Sequence, residues 1–225
     1  FPKPNSNQFS KFGNLILAQP NSDKLLFTLS KESIIVWNLS NFTNPEKSEY
    51  QVDNSTNLLT LLEANTQNQT LIYLVEEVKA YEYKVRGFLV DSNNTLQEQK
   101  DLELTYTHEN TGIQTFQVLA QNQTAYLFAV SSESFYLLES SQKTQVVANV
   151  TYENLNVNSS EFVSLAVYPE NSSVFLCDRE SGIYILDLEE ILQQKSTLDY
   201  LHFKDPLKLG SILWCSIQNN ELIVS

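Results

Sequence analysis

The chain has 225 residues, 42% of them hydrophobic and 11% aromatic, which excludes a disordered tail and allows one large domain or two small ones. Lys plus Arg number 14 against 27 Asp plus Glu, and a formal charge of −13 repels phosphate, so nucleic acid is not an expected partner. Two histidines, two cysteines and five glycines give neither a zinc cluster of usual spacing nor a Gly-rich phosphate loop, and no cofactor is expected.

In chain order, five segments repeat one layout of an apolar strand, a polar turn with Asn, and a second apolar strand. They begin at Asn14 (NLILAQPNSDKLLFTL), Leu58 (LLTLLEANTQNQTLIYLV), Thr115 (TFQVLAQNQTAYLFAV), Phe162 (FVSLAVYPENSSVFLC) and Ile212 (ILWCSIQNNELIVS). Their turn asparagines are Asn21, Asn68, Asn122, Asn171 and Asn220, a period of about fifty residues of the kind that marks repeat architectures. A second polar turn follows in each complete unit (SKES, VEEVK, SSES, DRESG). A third strand, rich in β-branched and aromatic residues, comes next: IIVWNL from Ile34, AYEYKV from Ala80, FYLLES from Phe135 and IYILDL from Ile183. Less apolar fourth strands are expected at Ser48–Val52, Gln99–Tyr106, Gln145–Thr151 and Leu198–Phe203.

Three apolar strands and one polar strand per fifty residues describe a four-stranded antiparallel blade with a solvated outer edge. KESIIVWNLSN (Lys31–Asn41) and ESGIYILDLEE (Glu180–Glu190) resemble the third-strand signature of β-propeller repeats, including the WD-repeat and LVIVD-type classes. The Gly-His dipeptide of WD repeats, the double glycines of kelch repeats and the sialidase Asp box are absent, so no subfamily is assigned. The resemblance implies an all-β propeller with blades near 14–52, 58–106, 113–151 and 162–203 and part of a fifth at 211–225. The competing architecture is a β-sandwich. An unclosed array exposes apolar faces, so further chain or another subunit is expected to complete it.

Asn-x-Ser/Thr occurs nine times, at Asn38, Asn41, Asn54, Asn68, Asn93, Asn122, Asn149, Asn158 and Asn171. Independent scattering of the 22 Asn and the Ser and Thr residues would give about 4 such triplets. The excess points to a secreted or cell-surface N-glycoprotein; the alternative is a proteome generally rich in Asn and Gln. No apolar run reaches the 18 to 20 residues of a membrane span. Blade topology maps six sequons to one face, Asn54 and Asn158 to the other, and Asn149 to an outer strand.

The second-hairpin turns on the barer face carry Glu32, Glu76, Glu77, Glu133, Asp178 and Glu180. They read either as an acidic docking surface for a basic partner or calcium, or as solvated turns. No Asp-x-Asp-x-Asp-Gly loop supports a calcium cage. Cys177, ending a second strand, and Cys215, ending the next first strand, are candidates for a disulfide across a blade junction. His202 with Asp199 or Asp205 is a conceivable base, and Asp101/Glu103 or Glu189/Glu190 are conceivable carboxylate pairs. None carries a catalytic signature. Phe27, Trp37, Tyr73, Tyr81, Tyr83, Phe128, Tyr136, Phe175, Tyr184 and Trp214 fall in expected strands and read as packing between blades.

These features give three readings. The first is a non-enzymatic structural or protein-interaction module of an extracellular surface, filament or adhesion assembly, bound to other subunits or copies of itself. The others are a secreted carbohydrate-active enzyme with a channel-mouth carboxylate pair, and a receptor ectodomain.

Overall fold

Alternation of apolar and polar residues along short runs is what a half-buried antiparallel strand requires. The computed structural model shows this pattern in four successive sheets. It describes residues 15–18, 24–41, 43–52, 57–66, 69–108, 112–121, 123–157, 161–168, 172–204, 212, 215–218 and 221–224. The first blade contains β1 (Leu15–Ala18), β2 (Leu25–Leu29), β3 (Ser33–Asn38) and β4 (Glu46–Gln51). The second contains β5 (Asn57–Asn65), β6 (Thr70–Lys79), β7 (Glu82–Val90) and β8 (Leu96–Thr107). The third contains β9 (Ile113–Gln121), β10 (Thr124–Ser131), β11 (Ser134–Ser140) and β12 (Thr144–Thr151). The fourth contains β13 (Phe162–Tyr168), β14 (Ser173–Asp178), β15 (Gly182–Asp187) and β16 (Tyr200–Phe203). A two-stranded sheet, β17 (Cys215–Gln218) with β18 (Glu221–Val224), follows them. Strands pair in sequence order within each sheet, so each blade is a meander. The fold is all-β and propeller-like.

The core lies between blades. Ile34 and Val36 of the first blade pack with Leu61, Ile72, Leu74 and Phe88 of the second. Tyr83 and Val85 of the second pack with Phe116, Leu127 and Leu138 of the third. Phe135, Leu137 and Val150 of the third pack with Leu165, Leu176 and Tyr184 of the fourth. Adjacent side chains point to opposite faces, so one strand serves two junctions: Leu137 faces forward and Leu138 backward. Removing one such fully buried ring, as in Phe128→Ala, costs about 3–5 kcal/mol.

A polar junction accompanies the first apolar one. Arg86 on β7 is 6% exposed and donates from Nε to Glu98 of β8 at 2.6 Å and from Nη1 to Glu76 of β6 at 3.1 Å. Burial opposes the Arg86 charge, but hydrogen bonds to Glu98 and Glu76 outweigh it and hold its pKa above the ordinary value. The outer strands β4 and β8 are rich in charge, as edge strands that avoid mispairing should be.

The structure departs from the sequence expectations in three places. The VEEVK segment is not a turn, because β6 runs on through Lys79 and the turn is Ala80–Tyr81. Cys215 opens β17 rather than ending a first strand. A short helix, α1 (Leu188–Leu192), stands between β15 and β16. Asp187 caps it by accepting from the Glu189 N–H, and Leu188 and Ile191 are its buried residues. This five-residue element is the one helix among the described residues, and it is too short to cross a membrane.

Candidate functional site

The turns between second and third strands share one construction in the first, third and fourth blades. In the first blade the Ser30 hydroxyl oxygen accepts from the Ser33 N–H at 3.0 Å and the Glu32 N–H at 3.4 Å. In the third blade Ser131 accepts from Ser134 at 3.2 Å and Glu133 at 3.4 Å. In the fourth blade the Asp178 Oδ1 accepts from Ser181 at 2.7 Å and Glu180 at 3.0 Å, while Oδ2 accepts from the Glu161 N–H at 2.7 Å. A short polar side chain thereby replaces a missing ladder partner, the usual role of Ser and Asp in turns.

The same turns anchor the connections between blades. The Val52 N–H donates to the Glu32 carbonyl at 2.8 Å, His108 to Tyr81 at 2.8 Å, and Tyr152 to Glu133 at 3.3 Å. Phe162 donates to the Ser132 carbonyl at 2.8 Å, and Ile212 to Arg179 at 3.0 Å. The turn face is thus held by backbone bonds at every described junction that these residues form.

This construction brings Glu32, Glu133 and Glu180 to equivalent, exposed positions in three blades. In the second blade the place is taken by Tyr81, which is 45% exposed and adopts φ 63°. A bulky residue in the left-handed region is strained, and such strain collects at functional positions. Val78, near the end of β6, is 36% exposed. Cations share the face: Lys79 pairs with Glu82 at 2.7 Å, Arg179 with Glu161 at 2.9 Å, and Lys31 precedes Glu32.

Three members of the expected acidic surface do not belong to it in that form. Glu76 is 2% exposed inside the Arg86 pair, and Asp178 is 1% exposed with both oxygens occupied by backbone N–H groups. Glu77 is half-buried on β6 and accepts from Asn57 at 3.3 Å. Tyr81 is corrected in the opposite sense, from expected packing residue to exposed turn residue. Its sequence signal was the tight Lys-Ala-Tyr-Glu step between two strand-forming runs. Of the other aromatics, Phe27, Tyr73, Tyr83, Phe128 and Tyr184 are buried as expected. Burial pushes the pKa of the Tyr73 hydroxyl, which donates to Ser140 at 2.9 Å, up to about 12, with that hydrogen bond opposing the rise. Trp37, Tyr136 and Phe175 are half-buried, and Trp214 lies outside the described residues.

Cys177 and Cys215 are bonded, with Cα atoms 6.6 Å apart. The bond joins β14 to β17, within a cluster that includes Ala166 and Ile212. His202 stacks on Tyr184 at 4.4 Å and its Nε2 lies 2.7 Å from the Ser181 carbonyl. Asp199 lies just ahead of β16, where its N–H donates to Glu190 at 3.3 Å; Asp205 lies outside the described residues. His108 is buried with its ring 4.5 Å from Tyr136. Glu103 pairs with Lys84 and Glu190 with Lys195; Asp101 and Glu189 are exposed.

Among the sequon asparagines, Asn41 is exposed at the β3–β4 turn and accepts from the Thr43 hydroxyl at 2.7 Å and N–H at 3.2 Å. Asn38 is half-buried at the end of β3 and accepts from the Ser40 N–H at 2.9 Å. Asn93 is exposed at the β7–β8 turn, and Asn149 is exposed on β12. Asn54, Asn68, Asn122, Asn158 and Asn171 lie outside the described residues, as do the turn residues Asn21 and Asn220.

No protein-family model and no curated protein matches the chain. Solved structures do. The chain is similar to BBS1N in complex with ARL6DN, with a TM-score of 0.58 at 8% identity over 89% of this chain and 57% of that one. It is also similar to the fission yeast SREBP-SCAP binding domains, with a TM-score of 0.55 at 13% identity over 94% and 55%. A functionally unknown protein from Desulfotomaculum acetoxidans DSM 771 gives 0.53 at 13% identity over 84% and 54%. The chain therefore spans little more than half the length of these three, and the likeness shows the propeller-like fold alone.

Proposed function

We propose that this chain is a non-enzymatic protein-interaction propeller whose second-hairpin turn face docks a partner protein. The observation that carries the reading is Tyr81, an exposed aromatic side chain on a strained backbone in a row of otherwise glutamate-bearing turns. Tyrosine is enriched at binding hot spots because it offers large amphipathic area with few rotatable bonds. Glu32 and Glu133 in the neighbouring blades, and Glu180 in the fourth, add negative charge along the same face that favours a partner with a basic rim. Two of the similar structures are described as complexes with, or binding domains for, other proteins, which agrees with this use of the fold.

We further propose that the protein works in a secretory or extracellular setting and carries N-glycans. The sequon excess and the Cys177–Cys215 bond support this, because disulfides persist in oxidising compartments.

The test is co-purification from the native source with wild type and Tyr81→Ala chains. A hot spot of at least about 2 kcal/mol predicts loss of the partner by roughly thirtyfold in affinity while the fold survives. Undiminished recovery of the same partners by the variant contradicts the turn-face reading.

A further inference from the structure

The outer strand of each blade has one free edge, which a strand of another chain could extend unless something blocks it. Three of the four outer strands carry such a block. β4 holds Glu46, Lys47 and Glu49, and β8 holds Glu98, Lys100, Asp101 and Glu103. β16 is only four residues long. β12 differs: none of its eight residues, Thr144 to Thr151, carries a charge. Its Gln145–Val150 stretch (QVVANV) is free of Pro and rich in β-branched residues, a composition that favours pairing with further strands.

Side chains close part of this edge. Val147 is an extra residue in β12, between the Leu138–Val146 and Leu137–Ala148 pairs. The Val147 carbonyl accepts from Gln194 Nε2 at 2.7 Å, and the Thr151 N–H donates to Asn154 Oδ1 at 2.7 Å. Both groups thus turn away from β11. Asn149 lies between them at the same strand parity, so its backbone N–H and carbonyl face the same edge. Its cross-strand partner Tyr136 packs in the junction of the second and third blades, which places the Asn149 side chain on the face toward the second blade. Val146, opposite Leu138, stands on that face too and is 40% exposed. Asn149 is itself exposed, and Asn149-Val150-Thr151 is a sequon.

We propose that an N-glycan on Asn149 guards the β12 edge, screening it from strand pairing and covering Val146. This rests on the N-glycosylation proposed above and gives one glycan a defined task. Transfer from a lipid-linked diphosphate donor joins the Asn149 amide nitrogen to the anomeric carbon of the first sugar. The nitrogen gives up one proton and the lipid diphosphate leaves. A further strand would lie about 4.8 Å from β12. The bulky, hydrated sugar takes that space at mid-strand and does for β12 what charged side chains do for β4 and β8. A strand of a partner protein is the competing occupant. It is disfavoured because the sequon sits at the outward position between the two that Gln194 and Asn154 close. The edge belongs to an outer strand and not to the turn face, so the docking role keeps its own test.

Glycopeptide mass spectrometry of native protein tests this, followed by sedimentation velocity on variants from a glycosylating host. Asn149 is expected to carry sugar. Asn149→Gln is expected to self-associate with rising concentration beyond the wild type, whereas Asn41→Gln and Asn93→Gln match the wild type. Cooperative melting of each variant reports that it is folded. In the associated Asn149→Gln protein, hydrogen exchange slows in Gln145–Val150. Val146→Lys added to Asn149→Gln returns wild-type behaviour, because a charge then replaces the sugar as the block. An occupied Asn149 whose loss leaves association unchanged overturns the proposal, as does a bare Asn149 beside occupied Asn41 and Asn93. Both results leave the N-glycosylation reading standing. Sugar-free asparagines at all nine sequons remove that reading and this proposal with it. Slow exchange of β12 under a partner's strand, with Asn149 bare, also overturns it.

Discussion

Tyr50, on the outer strand of the first blade, donates its hydroxyl proton to Glu98 on the outer strand of the second at 2.6 Å. The same oxygen accepts from Arg86 at 3.2 Å, so two blades share one charged cluster at a junction that is otherwise apolar. Buried charges cost free energy unless each is paired, and here Glu76, Arg86 and Glu98 are paired across three strands.

Arg86→Leu leaves Glu76 buried without its cation and is expected to destabilise the fold by about 3–5 kcal/mol. Adding Glu76→Leu recovers much of that loss. Chemical denaturation of the single and double variants checks it; equal losses in both would contradict the pairing account.

Glu98 is held below the usual carboxylate range by its hydrogen bond with Arg86, against partial burial, with Tyr50 assisting. A carboxyl whose folded pKa is depressed stabilises the protein above its unfolded pKa and loses that contribution as pH falls through the folded value. Stability of wild type over Glu98→Gln is therefore expected at neutral pH and shrinks below the ordinary value of 4.5. Thermal melts of both proteins across this acid range give the comparison, and a gap that widens in acid has the wrong sign.

The Cys177–Cys215 bond spans 38 residues and fastens the β17–β18 hairpin to the fourth blade. Loop-closure entropy values such a bond at about 4 kcal/mol. Reduction is expected to increase hydrogen exchange in β17 and β18 selectively, leaving β9 to β12 protected. Uniform exchange throughout would show that the bond does not act as a local fastener.

Gly182 adopts φ 109°, and a Cβ there would run into the Phe203 carbonyl oxygen. Gly182→Ala thus forces β15 and β16 apart and should lower stability by more than about 1 kcal/mol. The melting temperature reads this directly.

Much of the fold was legible because the blade repeat is written twice, in turn asparagines about fifty residues apart and in alternating apolar strands. The site was less legible, for physical reasons. Glu76 and Glu77 look like turn residues, but Arg86, ten positions on from Glu76, makes a buried carboxylate tolerable and lets β6 continue. Tyr81 looks like a strand residue, and only the turn geometry places it outside. The helix after β15 could have been read from Asp187 ahead of Glu189 and Glu190, a capping arrangement, had the apolar run not suggested an uninterrupted strand. The Cys177–Cys215 pair, by contrast, was legible from the repeat, which sets the two cysteines on either side of a blade junction, and the structure bonds them.

Loss of mass on treatment with a glycan-removing amidase is the expected outcome for native protein, with Asn41, Asn93 and Asn149 exposed to carry sugar. Unchanged mass would contradict the secretory setting.

The docking role is tested most directly by zero-length carbodiimide cross-linking of the protein in its native surroundings, read by mass spectrometry. This chemistry joins carboxylates to amines only where they touch. The account predicts cross-links from Glu32, Glu133 and Glu180 to lysines of a second protein, lost in Tyr81→Ala. Cross-links confined to carboxylates away from this face, such as Glu46 or Glu221, would contradict it.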